Sequence, residues 1–591
     1  MTLDLGTDLD RSVTGPPVRP RVSAGTVAAR RAVVVLLVVL PLVWSWRRAL
    51  PEDSEVVNRG GVPLVADLLA SVLRPDLSAD FLALVLDAVV VTLVFAALGT
   101  AGALVVGILG GLVLSDVAWD HRPPRGVRLL RVTLRGVLVA VRSIHELIWA
   151  LLFVSVLGLD PLVAVLAIAL PFGAQTAKVF GETLDGVPPG ALRTLRATGA
   201  RPVPALAYAL FPTAAPILLS YSFYRFECAI RSAVILGVVG VGGLGQELVV
   251  SLQSRNWDEV WTLVGAVLLL SAAADLWSTL LRGDLAVVSC AEWSGGTERR
   301  RPPAVAPSIE GEGTAPRSAR ADRSWWARRT ALVAVPALVL AWDASDVSLS
   351  GLTSPRTRDL TGRLLDDLWP PALPPGGWPT LTGAVLDTLA MAVLAMAAAV
   401  VVAILLGPWA TRPRAGPMDE HTRLLRNLVR RTVWWASRFL LLVLRSIPPT
   451  VWAVIALLVL FPGILPGALA LGIYTGGILG RLVAEAWESI DTRPRDALRA
   501  VGTQRWLASL AATTPPSVHH LVTYTLYRFE ICVRDTAIVG VVGAAGLGRL
   551  FAENLAIFRF PVITTLLAAS FVVSVAAELA GRRLRRALNA S

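Results

Sequence analysis

Apolar residues run along this chain in stretches close to the ~20 residues that a bilayer core requires, and polar segments separate them. The runs fall near 32–49, 83–114, 134–157, 160–180, 212–238 and 258–281, and again near 328–342, 381–407, 433–461, 465–483, 515–541 and 561–580. They predict an all-α membrane protein of about twelve transmembrane helices in two tandem sets of six. Between the sets, 283–327 is rich in Pro, Gly, Ser, Glu and Arg and reads as a flexible linker. The expected organisation is a segment 1–31, a first half 32–282, the linker 283–327, a second half 328–582 and a tail 583–591. Trp46, Arg47 and Arg48 follow the first apolar run where a signal peptide would show small residues, so this run is expected to remain as a helix.

The two sets are copies. At a constant offset of 303, Arg142-Ser143-Ile144 matches Arg445-Ser446-Ile447, Glu182 matches Glu485, Gly199 matches Gly502, and Tyr224-Arg225-Phe226-Glu227 matches Tyr527-Arg528-Phe529-Glu530, without a gap from 142 to 248. Halves with an even number of helices form a parallel repeat.

Composition sharpens the class. The chain is 54% hydrophobic with mean hydropathy +0.63, and its net charge of +12 comes from arginines clustered between apolar runs, the pattern of cytoplasmic membrane-protein loops and not of a nucleic-acid surface. Arg122, Arg125, Arg128, Arg131 and Arg135 mark one such loop, and the terminal RRLRRALNAS lies on the same side. The loop 51–80 is acidic. This bias predicts cytoplasmic termini and linker. The only lysine, Lys178, precedes Val179, so no G-x-x-x-x-G-K-[ST] phosphate loop exists and any driving ATP must be bound by another chain. The three cysteines and five histidines have no metal-ligand spacing, no metal or cofactor is expected on this chain, and no nucleophile, base and orienting acid form a catalytic set.

Charges within the fifth apolar run of each half need compensation, because an intramembrane arginine costs at least ~2.5 kcal/mol. Glu227 with Arg231, and Glu530 with Arg534, are spaced for helical pairs. Two roles stay open for these pairs, buried ties between helices or part of a substrate pathway. Pairing leaves Arg225 and Arg528, whose guanidinium groups suit bidentate binding of a tetrahedral oxyanion. Arg142 and Arg445, at the start of the third run, are expected to snorkel to the headgroups.

The stretch GVVGVGGLG at 237–245 contains G-x-G-x-x-G, with Gly240, Gly242 and Gly245 beside Gly243. Its repeat, GVVGAAGLG at 540–548, keeps Gly543, Gly546 and Gly548 but carries Ala545 in place of Gly242. A dinucleotide loop needs that glycine and a preceding strand, so a packing break near the outer face, shaping a gate, is expected instead.

Between the fourth and fifth runs each half carries a short amphipathic pattern ended by glycine. Leu192 and Leu195 lie opposite Arg193 and Arg196 before Gly199; Leu498 and Val501 lie opposite Arg495 and Arg499 before Gly502. Such a helix either lies on lipid or docks in a partner's groove. It resembles the coupling loop of ABC-importer permeases, Glu-Ala-Ala, three residues, Gly, nine residues, Ile-x-Leu-Pro. Gly199 with Pro212, and Gly502 with Pro515, keep that spacing, whereas Arg193-Thr194-Leu195 and Asp496-Ala497-Leu498 replace Glu-Ala-Ala. RSIHELIWALLFV at 142–154, EAWESID at 485–491, YRFECAIRSAVILGVVGVGGLGQ at 224–246 and YRFEICVRDTAIVGVVGAAGLGR at 527–549 are similar to permeases of phosphonate-type ABC importers, here two copies fused. The resemblance implies two cytoplasmic ATPase subunits that bind ATP and Mg, an external solute-binding protein, and import of phosphonate, phosphate or phosphite. It also implies ATPase coupling through Asp185, Leu192, Arg193, Leu195, Gly199, Glu488, Asp496, Leu498 and Gly502. A six-plus-six secondary anion transporter is the alternative.

Overall fold

The computed structural model describes residues 38–50, 55–119, 124–188, 190–285, 336–412 except 344, 346 and 349, and 420–589. The expected N-terminal segment, most of the linker and the start of the second half lie outside the described residues. Among the described residues all regular elements are helical, with one isolated bridge between Val57 and Leu460.

The first half contains α1 (38–49), α2 (Ala79–Leu114), α3 (Arg125–Ser143), α4 (Glu146–Leu157), α5 (Pro161–Gly186), α6 (Gly190–Ala197), α7 (Phe211–Leu236), α8 (Leu244–Ser254) and α9 (Trp257–Leu285). The second repeats them as α10 (336–343), α11 (Gly377–Ala410), α12 (Glu420–Ser446), α13 (Pro449–Val459), α14 (Ile464–Ser489), α15 (Arg493–Ala500), α16 (Thr514–Val541), α17 (Leu547–Ala556) and α18 (Phe560–Asn589). Six helices among the described residues are long and apolar enough to cross a membrane, or up to nine if each bent pair is one span. Of the twelve expected spans, three remain. Two are described only from 38 and 336, and α16 carries Arg528, Glu530, Arg534 and Asp535 in its middle.

The third span departs from expectation. Instead of straight helices over 134–157 and 433–461, α3 and α4 meet at 93°, and α12 and α13 at 87°. His145 caps α4 by accepting the Leu147 N–H on Nδ1 at 3.1 Å, and Pro448-Pro449 occupy the matching bend, where proline has no N–H to continue a helix. Trp149 donates to the Val141 carbonyl at 3.2 Å and the equivalent Trp452 to Leu444 at 3.3 Å, tying each bend across its corner.

The bends send α4 and α13 into the opposite halves. Ile148 and Leu152 pack with Phe551 and Ile563 of the second half, while Ile447 and Val451 pack with Leu244 and Leu263 of the first. The last helices also cross: α9 packs on α12, and α18 on α3. Arg48 on α1 donates to Asp387 on α11 at 2.7 Å. The core of each half is therefore completed by the other.

Within a half, α2 lies against α5 and α11 against α14 through small residues, such as Gly107 on Thr176 and Gly472 on Ala398. Such contacts drive helix association where lipid removes any hydrophobic advantage. The glycine segments fold back as α8 and α17 against the ends of α7 and α16. Gly243 and Gly546 have φ of +80° and +94°, and the next N–H groups, of Leu244 and Leu547, donate to Thr92 and Thr388, each at 3.0 Å. A threonine hydroxyl thus answers the first N–H of each of these helices. Thr92 and Thr388 are 296 apart, so the repeat extends upstream of its gap-free stretch with seven extra residues in the second half.

A Cβ at Gly245 would lie 1.8 Å from the Val234 carbonyl oxygen, and one at Gly548 2.5 Å from that of Ala537, whereas Gly265 has open space. Gly245→Val and Gly548→Val are each expected to cut recovery of monodisperse detergent-solubilised protein several-fold, with Gly265→Val unchanged, measured by fluorescence-detected size exclusion.

Candidate functional site

Both halves line one cavity of about 2060 Å³. It runs from Ile235 and Ile538, equivalent residues that share an apolar cluster, to Pro188, Arg412 and Glu488 beside α6 and α15. Its wall carries more arginine than carboxylate, contributed mainly by α3, α7, α9, α12, α14, α16 and α18.

Crossed ion pairs frame it. Arg142 on α3 donates from Nη2 to both carboxylate oxygens of Glu578 on α18, at 2.7 and 2.8 Å. Arg445 on α12 donates to Asp275 on α9 at 2.9 Å. Arg142 and Arg445 are equivalent, as are Asp275 and Glu578, so one contact is made twice around the pseudo-two-fold axis. The arginines are 7% and 8% exposed. The expectation that they snorkel is corrected, because a partner in the other half lies within hydrogen-bond reach and the bend after Ser143 turns the chain into protein. Arg481 reinforces the second pair through Asp275 and Glu485, and Arg582 the first through Glu578.

The charges of α7 and α16 lie one layer deeper. Arg231 donates to Glu227 at 3.1 Å, and Arg534 stands 3.7 Å from Glu530, as the spacing predicts. Arg534 also donates to the Arg142 carbonyl at 2.8 Å, answering an oxygen freed by the bend. Arg225 and Arg528 both line the cavity but differ in surroundings. Arg225 Nε donates to the Tyr221 hydroxyl at 2.7 Å, and its guanidinium lies 4.9 Å from the centre of the Phe172 ring. Arg528 lies 3.9 Å from Asp535, and its Nε and Nη2 have no hydrogen-bond partner among the described residues.

At the other end, α6 and α15 are short helices stopped as the glycines predict. Gly199 has φ +83° and Gly502 +88°; their N–H groups bond to Arg196 and Arg499, and the following N–H groups to Leu195 and Leu498. Pro494 opens α15, and Pro189 lies outside the described residues. Leu192 is buried with Phe180, Leu184 and Leu210, while Leu195 and Leu498 are half-buried and Arg193 is exposed. Arg495 hydrogen-bonds the exposed Asp496 at 2.8 Å, which holds its carboxyl below the usual range. Asp185 and Glu488 face inward to the ends of the long helices. Asp185 accepts from Ser115 Oγ at 2.7 Å and the Val117 N–H at 3.0 Å, and Glu488 from the Arg412 N–H and Arg438, both at 2.7 Å.

Sequence reasoning missed Asp275, Glu578, Arg481 and His145. A usable signal existed for the first two, acids repeating at 303 within apolar runs. His145 stands where the repeat has Pro448, so the duplication could not single it out, whereas Arg481 repeats Lys178 as a cation four residues before the matched Glu485 and Glu182.

The family described as "Binding-protein-dependent transport system inner membrane component" matches residues 125–286 and again 424–590. The phosphate-import permease protein PhnE of Mycolicibacterium smegmatis is 28% identical over 487 residues, 82% of this chain and 82% of that one. The phosphite transport system permease protein PtxC of Stutzerimonas stutzeri is 30% identical over 251 residues, 42% of this chain and 87% of that one. The putative cryptic phosphonate transport system permease protein PhnE2 of Escherichia coli is 33% identical over 106 residues, 18% of this chain and 87% of that one.

Removing one member of a buried pair strands the other. Arg142→Ala is expected to destabilise the protein by about 3–5 kcal/mol, and Arg142→Leu with Glu578→Met to recover most of it, read as melting temperatures in detergent.

Proposed function

The chain belongs to the binding-protein-dependent transport system inner membrane components and is the membrane-spanning permease of an ATP-driven importer; we propose that it carries a phosphorus oxyanion, whether phosphonate, phosphite or phosphate, into the cell. The observation that carries this reading is the arginine-rich cavity that both halves line. Phosphorus oxyanions are named as cargo in the relatives, and guanidinium groups suit them. In this reading Arg225, Arg231, Arg528 and Arg534 give the pathway its positive potential, while Glu227 and Glu530 keep two of them from holding the anion too tightly to release.

A family of this kind works with ATPase subunits and a solute-binding protein. We place two ATPase subunits against α6 and α15, with Arg193 and Asp496 presented to them and Leu192, Asp185 and Glu488 fastening the short helices to the long ones, so that a push on α6 reaches α2 and α5. The Gly199 and Gly502 stops hold each helix at a fixed angle. ATP and Mg would belong to those subunits, and the chain itself would carry out no reaction. The apolar cluster that holds Ile235 and Ile538 and the glycine segments beyond it would form the outer gate, open when the inner end is closed. Arginine placement supports a cytoplasmic position for α6, α15 and both termini.

Two experiments test this. A pull-down from native membranes is expected to recover an ATP-hydrolysing partner that Gly199→Val with Gly502→Val releases; the open space around both glycines makes this a conformational effect and not a clash. Uptake of radiolabelled phosphate and methylphosphonate should fall about tenfold or more in Arg225→Ala with Arg528→Ala at normal membrane abundance, as the loss of charge-assisted hydrogen bonds implies. Wild-type uptake in that double variant would remove both residues from the pathway.

A further inference from the structure

At the seam where α4 of the first half meets α16 of the second, His145, Glu146, Asp535 and Arg528 come together. Three of them break the repeat, standing where the other half has Pro448, Pro449 and Ser232. His145 Nδ1 accepts the Leu147 N–H, so Nε2 carries a proton; it lies 3.3 Å from Glu146 and 3.7 Å from Asp535. Glu146 is further engaged by the Ser232 hydroxyl at 2.7 Å. Asp535 is left without a direct hydrogen bond among the described residues. Its second oxygen is 3.9 Å from Arg528 Nη2, beyond hydrogen-bond length.

Arg528 is 8% exposed, lines the cavity, and among the described residues has neither Nε nor Nη2 partnered. Two unpartnered guanidinium nitrogens beside a carboxylate held only at ion-pair distance are costly at this burial unless something else completes them in another state of the transport cycle. The equivalent Arg225 is occupied by Tyr221 and Phe172, so only the second half offers this set. A donor pair next to an acceptor fits one chemical class. Guanidinium Nε–H and Nη2–H take two unprotonated oxygens of a tetrahedral anion, and a carboxylate at its flank takes a hydroxyl hydrogen from a third.

Resting on the import reading above, we propose that Arg528 and Asp535 form a selective subsite for an oxyanion that still carries a hydroxyl on phosphorus. Asp535 is the specificity-determining residue, since an anion without that proton brings a charged oxygen against the carboxylate and leaves it unsatisfied. Sulfate has no hydroxyl at neutral pH and is rejected. Phosphate keeps one on either side of its second ionisation, whereas methylphosphonate loses its own there.

The groups facing Asp535 are Arg528 and Arg534 on its own helix, His145 and Glu146 at the start of α4, and Tyr474 on α14. Their titration acts on both ligands alike. The difference between methylphosphonate and phosphate therefore isolates the ligand's own proton.

Equilibrium binding of phosphate, methylphosphonate and sulfate to the purified full chain in lipid nanodiscs tests the assignment without the external binding protein. Wild-type protein is expected to lose methylphosphonate relative to phosphate as pH rises through the second ionisation, and to hold phosphate against excess sulfate. Asp535→Asn should abolish the difference and let sulfate compete about tenfold better, because the amide can donate to a bare oxygen. Asp535→Ser, which copies Ser232 of the other half, is expected to do the same and guards against a misfolded first variant. Folded variants with wild-type sulfate rejection, or a wild-type protein in which the two ligands share one pH profile, would overturn the subsite while leaving import intact. If wild-type protein bound no phosphorus oxyanion the subsite would fall, and the uptake measurement would then decide separately whether the import reading falls with it.

Discussion

A charge taken out of water within a bilayer has to meet an opposite charge, and for the arginine at the bend of each third helix that charge lies across the interface between the halves. Arg142 reaches Glu578 and Arg445 reaches Asp275, so neither half can satisfy its own third helix. The bends after Ser143 and Ser446 follow from the same requirement. A straight third span would carry the rest of the helix past its partner, whereas a turn of about a right angle delivers α4 and α13 into the opposite core. Pairing, bending and exchange of helices are thus one arrangement.

That arrangement leaves a space along the axis, and the polar groups left over after pairing face it. The cavity is lined at one end by Ile235 and Ile538, members of one apolar cluster, and at the other by residues beside the short helices.

Much of this was legible in the sequence because duplication acts as an internal control. The glycine stops of α6 and α15 and the pairs Glu227–Arg231 and Glu530–Arg534 each rest on two instances at one offset. The third span was misread because apolar periodicity reports what a residue prefers and not where the chain turns. Only Pro448-Pro449 signalled the break, and its partner position holds His145-Glu146. The partners of Arg142 and Arg445 stayed hidden since pairing across 436 and 170 residues leaves no local spacing to read. Departures from the repeat, such as Asp535 against Ser232, acquire meaning only once the fold brings them to one seam.

The reciprocal design has an evolutionary corollary. Each half bears both an arginine and the acid that would answer it in a second copy of itself, so a half of either kind has the complementary groups needed to close with its own twin. Covalent fusion removes that choice and fixes every assembly as one unlike pair. Once like pairs are excluded, a change in one half no longer appears on both sides of the axis. Residues such as His145, Glu146 and Asp535 are then free to diverge, and the two sides of a formerly symmetric passage can become different chemical surfaces.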